Sequence, residues 1–153
     1  MRIERSFEVD APLTAVWADI RDPERMVTCV PGCQAVEQVD DTTYRASVAL
    51  AVGPIRATFD LNVEIETETP PTYVRTMTTG DEGSRASMVR ATSEMRLEEI
   101  SAGTTRVSYA SDVEISGRLG RYGAGMMTKI ANRKAEEFET AFCARFNAAK
   151  EEV

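Results

Sequence analysis

The fold is decided by residues 117–153, GRLGRYGAGMMTKIANRKAEEFETAFCARFNAAKEEV. Four glycines open this stretch, and after Gly125 it contains neither glycine nor proline, a composition that favours one uninterrupted helix. Its apolar side chains recur mostly three or four residues apart, which predicts one apolar stripe on one helix face. From Tyr122 to Lys150 such a helix is roughly 40 Å long at about 1.5 Å per residue. A broad and concave partner must therefore cover it.

Length and composition are those of one soluble domain. The 153 residues, 42% of them apolar, are enough for a single domain over 1–153 with a sizeable core. No apolar run approaches the roughly 18 residues of a membrane span, and residues 1–10 read as a charged strand and not as a signal peptide. Three cysteines without a signal peptide argue against a disulfide framework. We therefore expect a cytoplasmic protein.

The charge excludes some partners and marks one region. A net charge of −7 argues against nucleic acid, because phosphate backbones are bound mainly through Lys and Arg. The chain has no histidine, so it lacks the side chain that most often binds metals or transfers protons near neutral pH. Cations nevertheless cluster, without any acidic residue, at the glycine-rich start of the predicted helix: Arg118, Arg121, Lys129, Arg133 and Lys134.

The chain before the predicted helix contains one strand, short helices and then more strands. Residues 2–9 alternate as a first strand, residues 12–20 have helical spacing, and residues 24–27 are a candidate second short helix. From residue 34 to 115 the apolar period changes to two, which predicts six antiparallel strands. The facing of residues 85–97 stays open at this point. Met88 and Met95 fall on opposite faces unless a bulge intervenes.

These elements predict an α+β fold, in which a curved seven-stranded antiparallel sheet wraps around the C-terminal helix and one or two short helices lie between strands 1 and 2. Phe138, Phe142 and Phe146 should anchor the second half of the helix, each contributing about 1.5–3 kcal/mol when buried. The first half is rich in glycine and methionine, so we predict a ligand cavity there. The alternative is that the same residues fill a solid core. The predicted lining is Trp17, Met26, Val30, Val48, Leu50, Phe59, Leu61, Met77, Tyr109, Leu119, Tyr122, Met126, Met127 and Ile130.

The reactive side chains form no complete catalytic or metal site. Cys29 and Cys33 flank a Pro-Gly turn, but a tetrahedral zinc site needs four ligands and only Cys143 can add a thiolate. We therefore expect turn-forming, partly buried thiols and no metal. The polar candidates for pocket chemistry are Arg90, Glu94, Tyr109 and Asp112. They show no arrangement of nucleophile, base and orienting group, so no catalytic residue is expected.

Several short motifs, in order along the chain, carry a resemblance. They are Asp22-Pro23-Glu24-Arg25, Cys29-Val30-Pro31-Gly32-Cys33, Val52-Gly53-Pro54-Ile55, Gly83-Ser84, and Asp112-Val113 leading to Gly117-Arg118-Leu119-Gly120-Arg121-Tyr122-Gly123. With them, essentially the whole chain resembles the G-subunit family of carbon monoxide dehydrogenase. That family belongs to the helix-grip superfamily of START-like (SRPBCC) and Bet v 1-like domains.

The resemblance implies a function. It implies a START-like domain that has a hydrophobic pocket, contains no prosthetic group and serves a molybdenum hydroxylase of the carbon monoxide dehydrogenase type. Members are associated with placing that enzyme at the membrane and with binding a quinone-like or lipid-like molecule. Two other functions stay open: a protein-interaction or assembly subunit without ligand, and a cyclase-like enzyme.

The cluster of cations suggests a contact surface. In this hypothesis Arg118, Arg121, Lys129 and Arg133 form a basic collar around the pocket mouth, which touches anionic lipid at the inner face of the membrane or an acidic partner. The glycines beside the collar would act as a gate or would allow close packing of helix on sheet. The alternative for the cations is a solvated basic face.

Overall fold

The computed structural model of the protein describes residues 1–83 and 86–151. Its elements are β1 (Arg2–Val9), α1 (Leu13–Ile20), α2 (Pro23–Val27), β2 (Cys33–Gln38), β3 (Thr43–Val52), β4 (Ile55–Thr69), β5 (Tyr73–Glu82), β6 (Ser87–Ser101), β7 (Thr104–Gly117) and α3 (Gly123–Glu151), with a 3₁₀ turn (Leu119–Tyr122) before α3. Ser84 and Arg85, where the sequence predicts the end of a turn and the start of a strand, lie outside the described residues.

The strands form one antiparallel sheet in the order β1-β7-β6-β5-β4-β3-β2. This sheet, the long C-terminal helix and the short helices after β1 confirm the predicted α+β helix-grip fold. The pairing of β6 with both neighbours is continuous from Met88 to Arg96, which settles the facing of this strand. Met88 therefore lies on the outer face, where it is 52% exposed, and Met95 lies on the inner face.

An aromatic cluster holds the second half of α3 against the sheet. Phe142 is 0% exposed, and its ring centroid lies 5.7 Å from that of Phe138 and 5.3 Å from that of Phe146. Phe7 of β1 meets Phe142 edge-on with centroids 6.1 Å apart. These rings belong to an apolar cluster, called cluster 1 below, that also contains Val107 and residues of α1. The three phenylalanines of α3 thus pack as the apolar stripe predicts.

The start of α3 is packed as well. Leu119, which is 0% exposed, joins Met127 and Ile130 of α3 and Phe59 of β4 in a second apolar cluster, called cluster 2. Gly117, with φ of 81°, lies so close to the backbone of residue 86 that a Cβ would collide with it. This close approach requires glycine. The first half of α3 is therefore a second core, where the sequence suggested looser packing.

The two short helices are fixed beside α3 by polar contacts. Asp22 caps α2. Its Oδ1 atom accepts hydrogen bonds from the backbone N–H groups of residues 24 and 25, with N···O distances of 3.0 and 3.3 Å. The buried carboxylate of Asp19 accepts hydrogen bonds from Arg25 at 2.7 Å and from Arg145 of α3 at 2.9 Å. Because Asp19 belongs to α1, these bonds connect α1, α2 and the second half of α3. They hold the α1–α2 segment over the inner face of the sheet.

Candidate functional site

A cavity of about 370 Å³ lies between the inner face of the sheet and the α1–α2 segment. Its volume is within the range of about 300–1,000 Å³ that is common for small-ligand sites. The strands form its floor and residues 20–30 form its roof. The lining residues are Ile20, Arg21, Pro23, Met26, Val30, Val36, Tyr44, Ala46, Val63, Ile65, Val74, Thr76, Ser93, Glu94, Met95, Tyr109 and Ser111. Ten of these 17 residues are apolar, and the other seven carry hydroxyl, phenol, guanidinium or carboxylate groups.

One wall of the cavity is a polar contact between α1 and the sheet. Arg21, which follows α1, donates from Nε to Glu68 Oε1 at 2.7 Å and from Nη1 to Tyr44 Oη at 2.7 Å. Its guanidinium carbon lies 5.9 Å from the centroid of the Tyr44 ring, within reach of a cation–π interaction. Arg21 is thus held in place by a carboxylate and a phenol, and it connects the roof of the cavity to β3 and β4.

A second polar network borders the cavity near α3. Tyr109 Oη donates to Glu139 Oε1 at 3.1 Å. Arg5 donates to both oxygens of the same carboxylate, from Nε at 2.7 Å and from Nη2 at 2.8 Å. Burial, together with the nearby carboxylate of Glu139, raises the pKa of the Tyr109 phenol. Tyr109 therefore stays neutral at physiological pH, with its hydroxyl hydrogen directed to Glu139.

The structure distributes the predicted lining residues over several places. Those that line the cavity are Met26, Val30 and Tyr109. Those that pack in cluster 2 or against it are Leu50, Phe59, Leu61, Leu119, Tyr122, Met127 and Ile130. Trp17 packs against cluster 1, and Val48 pairs with Phe59 on the inner face of the sheet. Met77 lies on the outer face, next to inward-facing Thr76, and Met126 is 38% exposed.

The cavity thus lies under the α1–α2 segment and not under the first half of α3. At the end of the interior near the glycines, Leu119 and Met127 are buried in cluster 2. Apart from Met77, the predicted strand residues do face inward, but four of them, Val48, Leu50, Phe59 and Leu61, lie nearer the Gly53 turn than the cavity does. Three polar lining residues could have indicated the cavity from the sequence, namely Thr76, Ser93 and Ser111. They are hydroxyl residues at inward positions of central strands, where a filled core would carry apolar side chains.

The basic residues at the start of α3 do not surround this cavity. Arg118 forms an ion pair with the carboxylate of Glu82, which is 5% exposed. A hydrogen bond from Ser87 and the pair with Arg118 lower the pKa of Glu82. Arg121, Lys129 and Arg133 are exposed. The described lining of the cavity contains none of these four cations, so the collar that the sequence suggested is a separate surface.

The cysteines are free thiols. Cys29 is buried in cluster 1, while Cys33 and Cys143 are half-buried. Burial raises the pKa of both half-buried thiols, which favours their neutral form. Within residues 1–83 and 86–151, no group of three or more Cys, Asp or Glu side chains is placed to hold a metal ion.

The sheet, the long C-terminal helix and the cavity beneath two short helices define a START-like helix-grip domain. The family model for the G subunit of carbon monoxide dehydrogenase (CoxG) matches residues 6–146. The chain therefore belongs to the CoxG family, as the sequence motifs indicated. No curated protein sequence matches the chain. Family and fold together fit a ligand-binding accessory protein.

Solved structures share the fold at low sequence identity. A conserved protein from Geobacillus kaustophilus has a TM-score of 0.89 at 20% identity, covering 97% of each chain. A START superfamily protein from Mycobacterium smegmatis has a TM-score of 0.78 at 14% identity, covering 97% of this chain and 98% of that one. The Zhui aromatase/cyclase from Streptomyces sp. R1128 has a TM-score of 0.72 at 15% identity, covering 96% and 93%. At these identities the similarity shows the fold alone.

Helix length and composition also bear on membrane contact. In the part of the chain that the structure describes, no helix is both long enough and apolar enough to cross a membrane.

Proposed function

We propose that this protein binds an elongated apolar small molecule, quinone-like or lipid-like, in the cavity beneath α1 and α2. It would do so as a non-catalytic accessory protein of a molybdenum hydroxylase of the carbon monoxide dehydrogenase type, aiding its membrane association or electron delivery. The observation that carries the proposal is the apolar cavity of about 370 Å³. Membership of the CoxG family supports the accessory role.

The cavity supports ligand binding over an assembly subunit with a filled interior. A cyclase-like activity is the other alternative, because one structural neighbour is an aromatase/cyclase. Tyr109 is a candidate proton donor at the cavity, but its hydroxyl already donates to Glu139 and its raised pKa opposes proton release. Those two features support a binding role. Turnover of an enolisable polyketide by the purified protein, lost in Tyr109→Phe, would contradict this part of the proposal.

Filling the cavity should weaken ligand binding. Ala46 of β3 lies on the cavity floor, so Ala46→Phe would place a ring where the ligand lies. Overpacking of this kind typically costs about 1–3 kcal/mol, which corresponds to a roughly 5- to 150-fold higher dissociation constant for the ligand. The measurement is native mass spectrometry of the purified protein, followed by solvent extraction and identification of any apolar molecule that co-purifies.

The matched control for this experiment is Ala51→Phe. Ala51 lies on the same strand but faces outward and is exposed, so the control adds the same ring without entering the cavity. It should retain the ligand. Titration of ligand-free protein with 1,4-naphthoquinone and with lauric acid supplies two defined probes. A wild-type protein that carries no apolar molecule and binds neither probe would refute the proposed function.

The exposed cations form a second part of the proposal. Lys129 and Arg133 are four residues apart on α3, and the partly exposed side chain of Met126 lies on the same side of the helix. We propose that these residues and Arg121 contact anionic lipid head groups or an acidic surface of the partner. The cations would supply the electrostatic attraction, while Met126 inserts among the acyl chains or into an apolar depression.

Charge reversal at this basic surface should weaken binding to anionic vesicles. Each cation near an anionic surface contributes about 1 kcal/mol, so Arg121→Glu/Lys129→Glu should lower the partition constant by about 30-fold or more. The measurement is sedimentation with phosphatidylcholine vesicles that contain phosphatidylglycerol, at low and high salt. Arg45→Glu/Arg56→Glu, on the outer face of β3 and β4, makes the same charge change elsewhere. Equal losses in both variants, or no binding by the wild type at low salt, would rule out this surface.

A further inference from the structure

Three hydroxyl side chains stand in one row on the floor of the cavity. Thr76 of β5 pairs in register with Ser93 of β6, and Ser93 pairs with Ser111 of β7. All three line the cavity. In the same row, Thr76 is paired with Ile65 of β4 and Ser111 with Ile3 of β1. The row is therefore a polar strip across three central strands, bounded at both ends by isoleucine.

The surroundings of this strip are mostly apolar, and the polar group beside it is the phenol of Tyr109, which donates to Glu139. The neighbouring inward positions that line the cavity include Val63, Val74 and Met95. A hydroxyl that leaves water for an apolar site loses free energy unless it gains a hydrogen-bond partner. Packing alone would favour alanine or valine at these positions, so the three hydroxyls require another explanation.

The serine pair in this strip has hydrogen-bonding capacity that no protein group in the described part of the chain uses. Ser93 Oγ and Ser111 Oγ are 2.7 Å apart, and either can be the donor. Each hydroxyl has one hydrogen and two lone pairs, so one hydroxyl donates to the other and the pair keeps one hydrogen and further lone pairs. Across residues 1–83 and 86–151, the structure shows no other side-chain hydrogen bond for this pair. The pair can therefore both donate to and accept from a bound molecule.

We propose that Thr76, Ser93 and Ser111 bind an uncharged oxygen of the cavity ligand, either a carbonyl or a hydroxyl. The oxygen-bearing end of the ligand then lies on the floor of the cavity, and its apolar remainder lies against the α1–α2 segment. This inference rests on the proposed function, because it needs a ligand in the cavity. It adds the chemistry of that ligand and the direction in which it is bound.

The charges around the cavity favour a ligand whose oxygen is uncharged. A carboxylate or phosphate would be drawn to a cation, and the cation in the lining is Arg21. Its guanidinium is already bound to the carboxylate of Glu68 and to Tyr44 Oη, which offsets its charge. The serine pair carries no charge, so it discriminates between ligands by hydrogen bonding and not by electrostatic attraction.

Two probes of nearly equal shape test the assignment. The probes are 2-naphthol, which carries one hydroxyl, and 2-methylnaphthalene, which carries a methyl group in its place. The variant Ser93→Ala/Ser111→Ala should raise the dissociation constant of 2-naphthol roughly 3- to 10-fold, because one or two neutral hydrogen bonds to its hydroxyl are lost. The dissociation constant of 2-methylnaphthalene should stay unchanged or fall. Fluorescence titration of wild type and variant measures all four dissociation constants.

The outer face of the sheet supplies a matched control. Ser6 and Ser108 also form a hydroxyl pair across neighbouring strands, with Oγ atoms 3.3 Å apart and exposed. Ser6→Ala/Ser108→Ala should change neither dissociation constant. If the double variant at positions 93 and 111 proves unstable, the single Ser93→Ala should show the same selective loss at smaller size.

The outcomes separate the two proposals. If the wild type binds both probes and the cavity variant changes both equally, or neither, the assignment of the hydroxyl strip is wrong while the ligand site stands. If the wild type binds neither probe, the assignment is wrong, and the proposed function fails with it when no apolar molecule co-purifies and neither 1,4-naphthoquinone nor lauric acid binds. The assignment is supported if the cavity variant loses affinity for 2-naphthol but not for 2-methylnaphthalene, and if the outer-face control loses affinity for neither.

Discussion

Replacing Phe142 with alanine is expected to lower the free energy of unfolding by about 3–5 kcal/mol. The ring is 0% exposed and contacts Phe7, Phe138 and Phe146. Truncation removes apolar surface from the core and leaves a cavity where α3 meets β1, so the neighbouring rings lose contacts as well. Urea denaturation followed by circular dichroism measures the change.

The control for this experiment is Thr140→Ala, two residues away on α3. Thr140 is exposed, so its replacement should change stability by no more than about 0.5 kcal/mol. If Phe142→Ala costs less than about 1 kcal/mol, cluster 1 is not the core that the structure shows. Phe142 is not among the residues that line the cavity, so the affinity of the folded variant for the naphthyl probes should stay near that of the wild type.

Replacing Glu139 with alanine is expected to cost about 2–4 kcal/mol. The carboxylate is 13% exposed and holds the guanidinium of Arg5, which is 23% exposed. It also accepts the hydroxyl hydrogen of Tyr109. Its removal leaves the phenol of Tyr109 without its acceptor and leaves Arg5 with longer contacts, to Asn132 Oδ1 at 3.3 Å and to Glu136 at 3.9 Å. The cost of removing one partner exceeds the net contribution of the intact pair to stability. Chemical denaturation at neutral pH measures it.

Two further variants test the physical reason. Arg5→Met/Glu139→Leu removes both charges and keeps apolar side chains in their place, so it should recover most of the lost stability. Glu136→Ala is the matched control. Glu136 is 68% exposed and its carboxylate lies 3.9 Å from Arg5, so its removal should cost no more than about 0.5 kcal/mol. Equal costs for Glu136→Ala and Glu139→Ala would show that burial of the network is not what stabilises it.

The proposed ligand site and the proposed contact surface can be tested separately. Ala46 lies on the cavity floor, whereas Arg121 and Lys129 are exposed near the start of α3. We expect Ala46→Phe to leave vesicle binding unchanged and the charge-reversal variant to leave probe binding unchanged. An accessory protein with both features would carry its ligand and contact a membrane or partner through different parts of the fold.

Much of the fold is determined by local features of the sequence. The apolar stripe of α3 and the alternation from residue 34 to 115 define the helix and the strands, because side-chain period is a property of each element by itself. Asp22 followed by Pro23 marks the start of α2 in the same way. Once seven antiparallel strands and one long helix are known, the sheet has to cover the helix to bury both apolar faces.

The place of the cavity was decided by the tertiary structure. Which inward side chains touch α3 depends on how the helix crosses the sheet, and no local pattern encodes that angle. As a result Leu119 packs on Phe59 in cluster 2, and the free volume lies under α2. The partner of Arg118 is equally non-local, because Glu82 is 36 positions away in sequence. Periodicity determines which face of each element is apolar, whereas contacts between distant elements determine which part of that face is filled and which part stays open for a ligand.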